Sequence, residues 1–294
     1  MNSRRKFRLK LRSRTLILGE RTLVMGVLNV TPDSFSDGGK FFSQERAIKH
    51  ALQMERDGAD LIDVGAESTR PGSPGVSAEE EWKRLVPVLA ALRTRLKVPI
   101  SIDTRKAEIA SKALETGAEL INDVSGLKHD PRIAEVAAPL RVPLILMHMR
   151  GEPRTMQQNP FTGDALKDVL LGLQDSIAIA RKAGVAKSQL VIDPGIGFGK
   201  SFAQNYELLK KLPALASLGC PILVGTSRKG FLGRTLKRNG KPAPADTRIW
   251  GTAATVTASI LHGAHIVRVH DVAEMARVAR VADCILKPEL ALQN

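Results

Sequence analysis

Acids, amides and cations recur in this chain at one kind of place, the end of a short apolar run. Asn29, Asp63, Asp103, Asn122 with Asp123, His148, Asp193, the triplet Ser227-Arg228-Lys229, and Arg268 with His270 all close or directly follow such a run. They sort into two chemical sets. Asp103, Asn122 and Asp193 offer carboxylates and an amide. Groups of this kind serve as general acid and base, as metal ligands, or as acceptors for a heterocycle rich in N–H donors. Arg70, Lys229, Arg268 and His270 offer positive charge and directed donors, which suit a phosphate or diphosphate. Arg268 and His270 are two residues apart, so on a strand they share a face. For Asp103 a plainer role is also open, capping the helix that follows it.

The apolar runs are near-continuous, as in strands buried on both faces of a parallel sheet. They predict strands at 22–30, 60–65, 99–103, 119–124, 143–149, 189–193, 221–225 and 265–269. Helical patterns lie between and after them, at 43–56, 78–96, 106–116, 131–137, 164–183, 202–212, 247–262 and 272–286. Ser43 is expected to cap the first helix, Ser77 with Glu80 to form a capping box on the second, and Gly117 to stop the third. Eight strands alternating with eight helices in 294 residues predict an α/β fold, a (β/α)8 TIM barrel. A doubly wound open sheet is the alternative. Upstream, Phe7, Leu9 and Leu11 alternate with basic residues before a turn at 18–21, which predicts an N-terminal β-hairpin closing the bottom of the barrel. The expected division is a basic extension and hairpin at 1–21 and a single barrel at 22–290. The site of such a barrel lies at the C-terminal ends of its strands, where the polar residues collect.

With 43% hydrophobic and 25% charged residues the composition is globular. No apolar run approaches the roughly 18 residues of a membrane span, so no membrane partner is expected. The N-terminus lacks the apolar segment of a secretory signal. Cys220 and Cys284 have no metal-binding spacing, and a cytoplasmic location is expected. Half of the net charge of +14 comes from residues 1–14, which hold seven Lys or Arg and no acid. Without interleaved aromatics this segment reads as a solvated terminal strand, and no nucleic-acid partner is expected. The stretch GIGFGKS (195–201) looks like a phosphate loop, but Pro194 and Lys200 stand where the two known patterns need glycine. Its glycines instead let the backbone run close beneath a flat ligand. Two loops rich in Gly, Pro and Ser, at 31–41 and 66–77, read as mobile lids carrying Asp33, Phe35, Asp37, Thr69 and Arg70.

The segments NVTPDSFSDGG (29–39), DVGAESTRPG (63–72), SIDT (101–104), INDVSG (121–126), LMHMRGEPRTMQ (146–157), DPGIGFGK (193–200), SRK (227–229) and IVRVHDV (266–272) resemble, in order and at every strand end, the dihydropteroate synthase family. The resemblance implies condensation of a 6-hydroxymethyl-dihydropterin diphosphate with 4-aminobenzoate, releasing diphosphate, with Mg²⁺ as cofactor and a homodimeric assembly. It implies that Asp103, Asn122 and Asp193 bind the pterin edge, with Met147, Phe198, Gly225 and Lys229 around the ring. Thr69, Arg70, Arg268 and His270 would surround the diphosphate, and Asn29 would hold the metal. Ser227 and Arg228, at the start of the seventh helix, would face the aminobenzoate, with Phe35 and Pro71 as a wall. Lys229, Asp33, Phe35 and Arg70 are the residues the resemblance places nearest the reaction. Ala66 stands where many members have Gly, and neither the basic N-terminus nor the insert at 236–246 is accounted for. A Schiff-base aldolase on the same barrel would want a lysine where the sixth strand ends in Asp193. A corrinoid-dependent methyltransferase would not need SRK or the TPDSFSDGG loop.

These loops can satisfy their polar groups only around bound diphosphate and Mg²⁺. Titrating 4-aminobenzoate with and without Mg-diphosphate should therefore show weak binding to the free protein and tight binding to the loaded one. Equal affinities would mean that the pocket is preformed.

Overall fold

The computed structural model describes residues 4–31, 39–68, 73, 75–152, 155–156 and 161–292. Strands β1 (Phe7–Lys10) and β2 (Thr15–Leu18) form an antiparallel hairpin. Eight parallel strands follow: β3 (Leu23–Asn29), β4 (Leu61–Gly65), β5 (Ile100–Asp103), β6 (Leu120–Asp123), β7 (Leu144–Met147), β8 (Leu190–Asp193), β9 (Leu223–Val224) and β10 (Ile266–Val269). They pair in chain order from β3 to β8, and β10 lies between β9 and β3. The last seam, β8 to β9, is thin. It consists of a parallel bridge between Ile192 and Ile222 and the Ile192 N–H donated to the Pro221 carbonyl at 3.0 Å. The ring is thus a (β/α)8 barrel.

Alternation along each strand separates two apolar layers. Val24, Ile62, Ile102, Ile121, Leu146, Ile192, Val224 and Val267 point outward into the core shared with the helices. Leu23, Met25, Leu61, Leu120, Ile145, Val191, Leu223 and Ile266 point inward and form a second, separate cluster. The hairpin supplies Leu9, Leu11 and Leu18 to that inner cluster, all buried. It plugs the bottom of the barrel.

The surrounding helices are α1 (Gly39–Arg56), α2 (Ala78–Arg95), α3 (Ala107–Thr116), α4 (Arg132–Leu140), α5 (Ala165–Lys182), α6 (Phe202–Lys210), α7 (Gly230–Thr235), α8 (Ile249–Leu261) and α9 (Val272–Leu286). Ser77 caps α2 by accepting the Glu80 N–H, and Gly117 ends α3 in the left-handed region at φ 116°. Two expectations need correcting. Helix α1 starts at Gly39, so Ser43 lies inside it and not at its N-terminal boundary. The first N–H of α3, from Ala107, is accepted by Asp130 Oδ2 at 2.9 Å, so Asp103 is not a cap. The insert at 236–246 turns back on itself through Asn239 and Gly240, both at positive φ, between the bridged residues Arg238 and Lys241. Among the described residues no helix is long and apolar enough to cross a membrane.

The basic N-terminus is a strap and not the solvated strand expected. Arg4 is buried, forms an ion pair with Asp283 on α9, and donates to Thr22 Oγ1 at 2.6 Å and to the Ala264 carbonyl at 2.7 Å. Asp283 also accepts the Thr22 N–H at 2.6 Å. Arg12 donates to the carbonyls of Leu114 and Ala118 at 2.6 and 2.7 Å, beyond the end of α3. Arg14 donates to the Lys97 carbonyl, and Lys6 pairs with Glu20. Exposed charges remain at Arg8 and Lys10.

Removing one partner from a buried ion pair leaves the other charge uncompensated, at a cost of about 3–5 kcal/mol. Asp283→Ala should lose about that much stability in urea unfolding, because Arg4 and the Thr22 N–H both lose their acceptor. A loss below about 0.5 kcal/mol, the range of an ordinary surface change, would mean that the strap is not structural.

Candidate active site

The inner apolar layer fixes what lies above it. Moving two residues on from Leu61, Leu120, Ile145, Val191, Leu223 and Ile266 gives Asp63, Asn122, Met147, Asp193, Gly225 and Arg268. All six fall on the inward face, at the C-terminal end of the barrel. Strand β5 adds Asp103, because Ile100 and Ile102 point outward. Register confirms the neighbourhood: Asp103 pairs with Asn122, and Met147 with Asp193.

One wall is a charge network. Arg268 donates from Nε to Asp63 Oδ2 at 2.6 Å and from Nη2 to Asp103 Oδ2 at 2.7 Å. Asn122 Nδ2 donates to the same Asp63 oxygen at 2.8 Å. The guanidinium expected near a diphosphate therefore lies between two carboxylates. Burial, against the opposing charge of Arg268 and with that of Asp63, raises the Asp103 carboxyl to about 7. Asp63 Oδ1 is buried without a partner among the described residues. Asp63 was visible as a strand-end acid, but nothing in its spacing marked it as the hub of this wall.

The opposite wall is Asp193 with Lys229 and Phe198. Asp193 Oδ1 accepts the Gly195 N–H at 2.7 Å, and burial raises its carboxyl despite the charge of Lys229. Lys229 donates to the Ile196 carbonyl, and its ammonium stands 4.5 Å from the centre of the Phe198 ring. Burial lowers it to about 8, with Asp193 opposing. Met147 joins Val124, Met149 and Met156 in a small apolar cluster against which Phe198 packs. A flat ring between these walls would meet acceptors at its edge and thioether and aromatic surface on its faces.

The rim follows β9 and β10. His270 lies one residue past the end of β10, not on it, and its backbone N–H and Nδ1 meet Ser227 Oγ at 3.1 and 3.0 Å. Arg228 forms an ion pair with Asp271 and sits at φ 58°, in the left-handed region. That strained backbone is held on both sides, by Thr252 Oγ1 accepting its N–H at 3.2 Å and by Arg248 Nη1 donating to its carbonyl at 2.7 Å. Ser227 and Arg228 precede α7, whose cap is Lys229 and whose length is six residues. Gly225 is buried, 3.7 Å from Arg268 Cβ at its would-be side chain. Asn29, half-buried, ends β3 opposite Gly65. Asp33, Phe35, Asp37, Thr69, Arg70 and Pro71, with most of the first expected lid and part of the second, lie outside the described residues.

Carboxylates, an amide and a lysine gathered beside thioether and aromatic surface, at the mouth of a plugged (β/α)8 barrel, define a barrel enzyme suited to a flat nitrogen heterocycle. A family profile described as pterin binding enzyme matches residues 25–270. The chain is 49% identical over 267 residues to a dihydropteroate synthase of Synechocystis, covering 91% of both proteins. It is 48% identical to one of Bacillus subtilis, covering 91% and 90%. A structure of Xanthomonas albilineans dihydropteroate synthase with 4-aminobenzoic acid superposes with a TM-score of 0.88 at 41% identity, over 96% of this chain and 99% of that one. The chain belongs to the dihydropteroate synthase family of pterin-binding enzymes and is, with it, a transferase of folate synthesis.

The raised Asp103 carboxyl links stability to pH. Its native value of about 7 exceeds its ordinary 3.8, so between those values the native state keeps a proton that the unfolded state releases. Stability from this group is full below the lower value and lost as pH rises through the higher one. Asp103→Asn cannot titrate. Its stability relative to wild type should improve from pH 4 to pH 7 and then level off, as read by urea unfolding at pH 4, 7 and 8. A constant difference across that range would remove Asp103 as the source.

Proposed function

We propose that the chain condenses (7,8-dihydropterin-6-yl)methyl diphosphate with 4-aminobenzoate to give 7,8-dihydropteroate and diphosphate. The observation that carries this reading is the pair of facing walls: Asp63, Asp103 and Asn122 around Arg268 on one side, Asp193 with Lys229 and Phe198 on the other. A 2-amino-4-oxo pyrimidine edge presents adjacent N–H donors, which suit Asp103, Asn122 and Asp193. Met147, Phe198 and Gly225 line the ring, and Lys229 donates to it.

Arg268 and His270 serve the diphosphate. Thr69 and Arg70 belong to the same half-site on the resemblance, and Asp33, Phe35 and Pro71 to the reaction end. Ser227 and Arg228 face the aminobenzoate. The family's Mg²⁺ fits the donors present: the Asn29 amide oxygen is a hard ligand, and Asp63 Oδ1 is an acceptor without a partner among the described residues. Magnesium commonly takes one or two protein oxygens and completes its shell with phosphate and water. When bound it would neutralise charge building on the departing diphosphate. Arg268 and His270 act on that same charge. As the methylene C–O bond breaks, its electron pair leaves with the diphosphate, and the aryl amine nitrogen forms the new bond and then loses a proton to solvent. A neutral aryl amine is already nucleophilic, so no strong base is required. Exposed Trp250, Val281 and Ile285 on α8 and α9 support a homodimer that covers them, and a cytoplasmic location fits the two free cysteines.

The test is diphosphate release from the pterin diphosphate with and without 4-aminobenzoate, repeated with Mg²⁺ chelated. Release should require both the amine and the metal. Lys229 donates more strongly as an ammonium than as a neutral amine, and burial lowers it to about 8, so kcat/KM should be held below that pH and fall as pH rises through it. In Lys229→Arg the falling limb should disappear from whatever activity remains. Release that is indifferent to 4-aminobenzoate would refute the reaction.

A further inference from the structure

The glycine-rich stretch after β8 has a lysine where a phosphate loop would have one, but this lysine turns inward. Lys200 Nζ is buried, 2.9 Å from the His148 carbonyl, 2.9 Å from that of Pro194 and 2.8 Å from that of Gly195. A fourth neighbour is His148 Nδ1, also at 2.9 Å. The other ring nitrogen of His148 stands 3.4 Å from Asp168 Oδ2. That carboxylate draws the ring proton to Nε2 and leaves a lone pair on Nδ1 facing the lysine. Burial, then the charge of Lys200, push the imidazole down to about 2, so the ring is neutral. Every atom around Nζ is an acceptor, and only an ammonium supplies three donors to them.

The ammonium pins the loop from beneath. A side chain at Gly195, at φ 64°, would sit 1.9 Å from the His148 carbonyl oxygen, and one at Gly199 would sit 2.2 Å from that of Arg150. The loop backbone therefore lies directly on the chain leaving β7. From the pinned segment come the Gly195 N–H that holds Asp193, the Ile196 carbonyl that receives Lys229, and the Phe198 ring.

We propose that Lys200 is a positioning residue for the pterin half of the site: its ammonium clamps the 194–199 loop onto the end of β7, and through that loop sets Asp193, Phe198 and Lys229. The proposal rests on the reading of those three as pterin contacts. The diphosphate half should respond less, since Arg268 stands on β10 and His270 directly after it, outside the clamped loop. Burial lowers Lys200 to about 7, with the charges of Lys229 and Lys128 acting in the same direction and those of Asp193 on β8 and Asp168 on α5 opposing. The clamp should thus be complete at lower pH and weaken as pH rises through that value.

The test uses the full chain and three variants, Lys200→Met, Lys200→Gln and Asp193→Asn. Calorimetry measures binding of an unphosphorylated 6-hydroxymethyl pterin and, separately, of inorganic diphosphate with Mg²⁺. Lys200→Met should weaken the pterin on the order of 10- to 100-fold and raise KM for the pterin diphosphate in step, while kcat at saturation and diphosphate affinity stay near wild type. Lys200→Gln keeps an uncharged donor and serves if the Met variant does not fold. Its pterin affinity should lack the decline near pH 7 that wild type shows, leaving only the limb that belongs to Lys229. Folded Lys200 variants with unchanged pterin affinity overturn the proposal, as do equal losses for pterin and diphosphate. Unchanged pterin affinity in Asp193→Asn would instead strike the pterin reading on which the proposal stands.

Discussion

Burying a carboxylate is costly unless a cation or donors replace its water. The mouth of this barrel buries Asp63 and Asp193 and partly buries Asp103 on one inward layer, above an apolar layer sealed by the hairpin. Water cannot reach them from below. Arg268 compensates two of them and Lys229 the third, yet Asp103 and Asp193 are both still raised by their surroundings. A site in that condition gains from any ligand that brings N–H donors. Its selectivity for a donor-rich heterocycle is then a consequence of the plug and the strand alternation as much as of the carboxylates themselves.

The other half of the mouth is organised by backbone. Arg228 holds a conformation that costs a non-glycine residue about 1–2 kcal/mol. Its neighbours fix it from three directions, through Thr252, Arg248 and Asp271. Arg248 in turn lies over Gly233, where a side chain would meet its guanidinium at 2.5 Å. The segment from Ser227 to Lys229 is therefore set by residues up to two helices away, and the insert at 236–246 is tied in where Ala243 donates to the Gly233 carbonyl and accepts from Arg248.

Much of this was legible in the sequence because period-two and period-3.6 patterns are physical. Apolar runs ending in Asp103, Asn122, Met147 and Asp193 located the strands and the inward layer together. Less legible was anything decided by where a long side chain turns. Arg4 read as part of a solvated basic tail and Lys200 in GFGKS was given no role, yet both are buried, because carbonyls or a distant carboxylate receive them. Arg268 was recognised as a site cation but not as the partner of Asp63, 205 residues away. No local pattern records a pairing of that range. Helix ends such as that of α1 were missed for another reason: the Asp/Ser/Gly-rich stretch preceding it offers several caps of similar strength.

The strap that closes the bottom joins the first described residues to the last helix. Arg4 reaches Asp283, Arg5 offers its carbonyl to His265, and Lys287 donates to the carbonyls of Gly19 and Glu20. A ribosome makes the hairpin first and these partners last. Until α9 emerges, Leu9, Leu11 and Leu18 have an unfinished barrel to enter and no lock to hold them there. Contacts separated by some 260 residues form late, because nearly the whole loop between them must be ordered first. The nascent chain therefore carries an unlocked apolar hairpin while the barrel strands are being made, and its guard against misassembly in that interval is the row of positive charges that alternates with Leu9 and Leu11.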